Sequence, residues 1–360
     1  MTAAPDTVVE TDDVIVRREG AAGVLRLNRP KAINAITLDM VRTIAPALDA
    51  FAADPAVALV LLEGAGERGL CAGGDIRGLY ESARVHGDLG KVFWGEEYVV
   101  NANIEAYPKP YVAFMDGIVM GGGVGLACHG THRIVTEKTR IGMPEVSLGF
   151  FPDVGGTWLL SHAPGEVGTY LALTGQTANG ADAVYGGLAD ALVPTDQWPA
   201  LRSALTAAPR GATHAEVRAI IEGFATPSSG GPIAQNRALI DRLFAHDTVE
   251  AIVAALTRDG SAFSHTTLKA IGDKSPSGLK VTLRLLRQAR TLTSLKEALV
   301  HEYRAALQVF ASHDFVEGIR ATIVDKDRNP RWAPARLEDV TPQIVEGYFT
   351  PRKDELVFPA

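Results

Sequence analysis

Two carboxylates, Glu145 and Asp153, stand eight residues apart in Met143-Pro144-Glu145-Val146-Ser147-Leu148-Gly149-Phe150-Phe151-Pro152-Asp153-Val154-Gly155-Gly156, a stretch built largely of apolar residues, glycine and proline. Apolar surroundings penalise the charged form of a carboxyl, raise its pKa and fit it for general acid or base work. The plainer alternative is a helix-capping aspartate and a surface glutamate, and the segment alone leaves both open. Two glycine-rich strings precede it, Cys71-Ala72-Gly73-Gly74-Asp75-Ile76 and Asp116-Gly117-Ile118-Val119-Met120-Gly121-Gly122-Gly123-Val124-Gly125. Glycines at strand ends let a backbone approach a ligand, and an N–H group at a helix start can point into a site. Two such N–H groups aimed at one oxygen form an oxyanion hole, each donor worth about 10²–10³ in the rate of acyl transfer. Taken singly, tight turns are the simpler reading of either string.

Other chemistries find less support. Gly64-Ala65-Gly66-Glu67-Arg68-Gly69 matches the G-x-G-x-x-G dinucleotide pattern after an expected strand. That pattern works only if a helix starts within it and offers its N-terminus to a pyrophosphate. Here Leu70-Cys71-Ala72-Gly73-Gly74 follows, and two further glycines argue against a helix. H-E-x-x-H, C-x-x-C, G-x-S-x-G and G-x-x-x-x-G-K-[ST] are absent, and the nine histidines are scattered, so no metal site is expected.

The elements that must position these groups read as α/β in the first half. Val24 to Leu27 predicts a strand, closed by Asn28-Arg29-Pro30. Thr37 predicts the N-cap of a helix whose apolar face carries Met40, Val41, Ile44, Leu48 and Phe51, with a kink or split at Pro46. Val57 to Leu62 is a continuous apolar run, as in a strand buried on both faces. Tyr111 to Met115, Arg133 to Thr136 and Arg140 to Met143 predict further strands separated by glycine turns. Strand signals fade after about residue 200, and Thr226 to Pro232 predicts a loop or hinge. Beyond it, Leu279, Leu283 and Leu286 form a helical stripe, and Ser294-x-x-Glu297 and Asp314-x-x-Glu317 have capping-box spacing. The expected division is a core over residues 1–205 and a helical region over 206–360.

Composition bounds the rest. At 360 residues with 46% hydrophobic and 21% charged residues, the chain suits a globular enzyme with a substantial appendage. A net charge of −7 without a basic stripe argues against nucleic acid as partner. Cys71 and Cys128, the two cysteines, lie in apolar, glycine-rich surroundings and predict buried free thiols in a reducing compartment. The acidic first twenty residues match neither a signal nor a transit peptide, and no segment reaches the ~20 apolar residues of a membrane span. A cytoplasmic protein with no membrane partner is the expectation.

Taken together, the three site segments and the opening Asn28-Arg29-Pro30-Lys31-Ala32-Ile33-Asn34-Ala35 resemble the crotonase (enoyl-CoA hydratase/isomerase) superfamily across residues 13–195. Met143-Pro144-Glu145, Phe151-Pro152-Asp153-Val154-Gly155-Gly156, and the tail from His313-Asp314-Phe315 to Asp325-Lys326-Asp327 and Trp332 are similar to the 3-hydroxyisobutyryl-CoA hydrolases within it. The resemblance implies a crotonase (ClpP-like) spiral of ββα units followed by a helical C-terminal region. It implies an acyl-CoA substrate, with coenzyme A part of that substrate and no separate cofactor. The N–H groups of Gly74 and Gly122 would form the oxyanion hole, and Glu145 and Asp153 would supply the acids. Arg29, Lys31, Ala32, Ala72, Asp75 and Ile76 would hold the CoA nucleotide. Typical hydratases carry a further glutamate where this chain has Gly125, which favours thioester hydrolysis, in a valine-catabolic role, over hydration. Dienoyl-CoA isomerisation and binding without turnover stay open as alternatives, as do a homo-oligomer and a tail that covers the assembly surface.

Overall fold

The apolar runs of the first half form strands whose order is set by parallel pairing. The computed structural model describes residues 9, 10 and 12–359. One sheet runs in the order β1 (Val9–Glu10), β2 (Val14–Glu19), β3 (Ala22–Leu27), β4 (Leu59–Gly64), β6 (Tyr111–Met115), β8 (His132–Val135) and β11 (Ala191–Leu192). A second runs β10 (Ala178–Asn179), β9 (Arg140–Gly142), β7 (Ile118–Met120) and β5 (Gly69–Cys71). From β3 to β11 the large sheet is parallel, which explains why β4 reads as an uninterrupted apolar run. Leu59, Val60, Leu61 and Leu62 are all buried there.

Helices follow pairs of strands, giving successive ββα units along the chain. After β4 and β5 comes α2 (Ile76–Arg84), and after β6 and β7 comes α4 (Gly122–Cys128). Earlier, α1 (Leu38–Ala53) begins at Thr37, whose side chain accepts the Met40 N–H at 3.2 Å. Pro46 does not split α1, which runs through it. A proline removes one backbone bond, whereas Met40, Val41, Ile44, Ala47, Leu48 and Phe51 bury one continuous face on both sides of it.

Two compact units emerge from the contacts. The first comprises the chain up to Gly74, Val100–Ile141 and Ala178–Gly231; the second comprises Asp75–Val99, Gly142–Thr177 and the chain from Pro232. Nearly all strand residues fall in the first. The boundary passes through α3 (Leu89–Glu105), whose first turns belong to the second unit. Within the loop expected over Thr226 to Pro232, Thr226 bridges to Leu192, residues 227–231 are irregular, and Pro232 opens the helix Pro232–Gln235.

The second unit is helical. Leu279, Leu283 and Leu286 are buried along the helix Pro276–Ala289. Ser294 caps the helix Leu295–Phe310 through the Glu297 N–H at 3.3 Å, and the Glu297 carboxyl accepts the Thr293 N–H at 2.9 Å. Asp314 is not a cap. Ser312 caps the helix His313–Ile319, and Asp314 is buried, accepting from the Ser275 hydroxyl at 2.5 Å and the Ala333 N–H at 2.8 Å. Cys71 and Cys128 are free and buried.

Candidate active site

The glycine strings sit at the ends of two neighbouring parallel strands of the first unit. Strand β5 pairs with β7, Gly69 opposite Ile118 and Cys71 opposite Val119. Gly74 lies three residues beyond β5, and Gly122, the first residue of α4, lies two beyond β7. The close approach explains one glycine directly: a Cβ on Gly123 would stand 2.7 Å from the Cys71 Cβ and 2.9 Å from its carbonyl oxygen. Gly121 enters the helix at φ +49°, and the Gly122 N–H is among the donors that a helix start leaves without an intrahelical partner. Among the described residues, neither the Gly74 nor the Gly122 N–H is paired with a protein acceptor. Two backbone donors at adjacent strand ends are the parts an oxyanion hole needs. No helix starts within Gly64 to Gly69, since β5 begins at Gly69. The dinucleotide pattern there is a turn.

Beside them the segment from Arg29 to Ala35 is pinned to the same loops. The Ala72 N–H donates to the Ile33 carbonyl at 2.9 Å, and the Ile36 N–H to the Gly73 carbonyl at 2.9 Å. Ile33 and Asn34 adopt φ of +49° and +54°. Asn34, fully buried, donates its amide to the carbonyls of Ala65 (3.0 Å), Gly69 (3.2 Å) and Leu70 (3.0 Å), and accepts the Arg29 N–H at 2.9 Å. This side chain therefore fastens the Arg29–Ala32 turn to the strand-end loops. Sequence reading gave it no role, although asparagine is among the few residues that accept positive φ. Lys31, Ala32 and Ala72 are exposed, and Arg29 is half-buried against Asp13 and the Ala35 carbonyl. Cations and open backbone on one ledge suit a phosphorylated ligand. Asp75 and Ile76, both half-buried, open α2 directly after Gly74.

The carboxylates belong to the second unit, where Asp153 is buried and Glu145 half-buried. Glu145 begins a short 3-10 turn after Pro144 and keeps one carboxyl oxygen buried without a hydrogen-bond partner. Burial, then the neighbouring Asp153, push its pKa well above the ordinary carboxylate range. Asp153 is 6% exposed and accepts the Tyr98 hydroxyl at 2.8 Å. Burial lifts its pKa to about 7 against the pull of Tyr98 and of its own N–H. The capping alternative for Asp153 fails, because its carboxyl accepts from Tyr98 while Glu302 takes the N–H groups of Gly155 and Thr157 at the start of α5 (Gly156–Ser161).

Two further members of the acid cluster were missed in the sequence. Glu97 on α3 is 2% exposed, leaves one oxygen without a partner, and is raised well above its usual range by burial and then by Asp153. Its signal was present, since Phe93, Glu97, Val100 and Ile104 share one buried helical stripe on which a carboxylate is out of place. Glu302, fully buried in the helix Leu295–Phe310, accepts the Gly155 N–H at 2.7 Å, the Thr157 N–H at 3.0 Å and the Thr157 hydroxyl. An aromatic wall adjoins the Glu145–Asp153 segment, with Trp94 stacked on Phe150 at 5.1 Å and Phe150 on Phe151 at 4.5 Å. A carboxyl whose pKa burial raises toward neutrality, as at Asp153, can both give and take a proton.

Among the described residues no helix is long and apolar enough to cross a membrane. A family model described as enoyl-CoA hydratase/isomerase matches residues 22–349. The mitochondrial 3-hydroxyisobutyryl-CoA hydrolase of Rattus norvegicus is 41% identical over 345 residues, covering 94% of this chain and 89% of that one. That of Xenopus tropicalis is 40% identical over 347 residues, covering 95% and 90%. A crystal structure of a carnitinyl-CoA dehydratase from Mycobacterium thermoresistibile is 47% identical with a TM-score of 0.92, covering 97% of this chain and 99% of that one. The expected α/β spiral with a helical C-terminal region is borne out by that superposition.

Proposed function

The chain belongs to the enoyl-CoA hydratase/isomerase (crotonase) family, and we propose that within it the protein hydrolyses a 3-hydroxyacyl-CoA thioester, 3-hydroxyisobutyryl-CoA, to 3-hydroxyisobutyrate and CoA. The observation that carries this reading is the carboxyl of Asp153, buried on the Tyr98 hydroxyl and raised into the neutral range beside Glu145. The names of the curated relatives support the substrate. In the proposed reaction the N–H groups of Gly74 and Gly122 take up the negative charge that develops on the thioester oxygen. Glu145 either removes a proton from water, which attacks the carbonyl carbon, or attacks it directly to give a mixed anhydride that water then cleaves. The C–S bond breaks and the departing thiolate receives a proton from the acid cluster. Asp153 and Glu97 offer a donor or acceptor to the 3-hydroxyl of the substrate.

Arg29, Lys31, Ala32, Ala72, Asp75 and Ile76 hold the CoA nucleotide in this reading, and CoA enters and leaves as part of the substrate. Gly125, buried in α4, stands where a second glutamate would serve hydration. Hydration or dehydration is the second reading, favoured by the dehydratase name of the solved relative. A valine-catabolic role in an aqueous, reducing compartment fits two free buried thiols. Cytoplasmic placement is proposed for this chain, against relatives named as mitochondrial, and cell fractionation decides it. The test of the roles is kinetic. Glu145→Gln and Asp153→Asn should each lower turnover far more than CoA affinity, and near-parental rates in either would remove its role. Label found in Glu145 after a single turnover in ¹⁸O-water would establish the anhydride; its absence would leave general-base catalysis.

A further inference from the structure

Glu302 carries the C-terminal helix Leu295–Phe310 to the acid cluster. Glu302 lies more than 140 positions from the residues it touches, yet its carboxyl is fully buried against the start of α5. One oxygen accepts the Gly155 N–H at 2.7 Å; the other accepts both the Thr157 N–H at 3.0 Å and the Thr157 hydroxyl. In these contacts the carboxyl accepts from two N–H groups and one hydroxyl, while burial raises its pKa to about 8.

What those donors would otherwise do is set by the chain. Asp153 lies two residues before Gly155, a spacing at which an aspartate takes up a free N–H group at the start of a helix, and Thr157 is only two residues further on. An aspartate so engaged is held as an anion and turned away from a substrate. Val154 at φ +51° and Gly155 at φ +76° form the sharp turn that carries the backbone past Asp153. The Asp153 carboxyl instead accepts from Tyr98 at 2.8 Å.

We propose that Glu302 is a positioning residue for the hydrolysis: by holding the N–H groups of Gly155 and Thr157 it keeps them off the Asp153 carboxyl and fixes that carboxyl on Tyr98. The helix Leu295–Phe310 then has a part in the chemistry as well as in packing, without touching substrate. The inference rests on the hydrolase reading above.

The experiment measures thiol release from 3-hydroxyisobutyryl-CoA by the full-length parent, Glu302→Gln, Thr157→Val and Thr157→Ser, with the melting temperature of each. Glutamine removes one acceptor and presents an amide donor to an N–H group. Glu302→Gln should lower kcat on the order of 10², as a displaced catalytic group does, with KM within about threefold of the parent. Thr157→Val should lower kcat about tenfold, and Thr157→Ser, which restores the hydroxyl, should return it to near the parental value. A structural role alone would lower the melting temperature and leave kcat of the folded protein unchanged. If Glu302→Gln does not fold, the Thr157 pair decides: equal kcat in Thr157→Val and Thr157→Ser overturns the proposal. A parent that releases no thiol removes the hydrolase reading and this inference with it. A parent that does, with all variants at parental kcat, overturns this inference alone.

Discussion

Replacing Asp153 by asparagine should make the protein more stable in alkaline solution, and by an amount the site geometry sets. The Asp153 carboxyl titrates near 3.8 in an open chain and at about 7 in the fold. Between those values the folded protein binds a proton that the unfolded chain does not, so stability falls as pH rises through this window and levels off above 7. Each pH unit is worth about 1.4 kcal/mol, so moving from pH 5 to pH 8 crosses two effective units and removes up to about 3 kcal/mol. Asparagine keeps the shape and can still accept the Tyr98 hydroxyl, but it has no such proton. Glu97, Glu145 and Glu302 are raised in part by the Asp153 charge, so asparagine relieves them as well and adds to the difference in the same direction. The assay is urea unfolding of both proteins at several pH values from 5 to 8, with the slopes checked for equality. The stability difference should turn steadily toward the variant as pH rises, by roughly 2–3 kcal/mol over the range. Parallel stability curves would refute the reasoning, because they would mean that Asp153 carries no excess proton in the fold.

Other perturbations address the remaining parts of the site. Tyr98→Phe removes the donor that holds the Asp153 pKa down, so the inflection near pH 7 in the kcat profile should move up by about one unit, given a hydrogen bond to a charged group worth ~1.5 kcal/mol; an unmoved inflection would detach Asp153 from that profile. Asn34→Ala removes the two N–H groups shared among three carbonyls and frees the turn at Arg29, and should lower stability by about 1–3 kcal/mol per carbonyl left unsatisfied while raising KM for acyl-CoA. Equilibrium unfolding and steady-state kinetics read both. Lys31→Ala should raise KM with kcat unchanged, and the loss should shrink as salt is added, since Lys31 is exposed and acts by charge alone; a fall in kcat would place it elsewhere.

Local order in the molecule was legible where one element carried its own signal. The Thr37 cap, the buried run through Leu59 to Leu62 and the stripe Leu279, Leu283 and Leu286 follow from periodicity and capping chemistry within a few residues. Glu145 and Asp153 could be picked out because their neighbours in sequence are also their apolar surroundings. At Pro46 the split is excluded, since the buried face holds the helix together across the proline. Asp314 misled: its spacing to Glu317 suits a cap, but Ser312 precedes it and Ser275, 39 residues away, claims its carboxyl. Glu302 was out of reach because nothing local marks a helix glutamate whose partners lie on a distant loop. Glu97 was within reach, and reading α3 for a carboxylate on its apolar stripe would have found it. Spatial grouping of the acids is tertiary information, and no spacing along the chain encodes it.

The most direct test follows two readouts on the same purified protein: free thiol released from 3-hydroxyisobutyryl-CoA, and loss of the enoyl absorbance of crotonyl-CoA. Hydrolysis with Gly125 in place of a second glutamate predicts fast thiol release and little hydration. Fast hydration without thiol release would contradict the hydrolase assignment and show that one glutamate suffices for adding water.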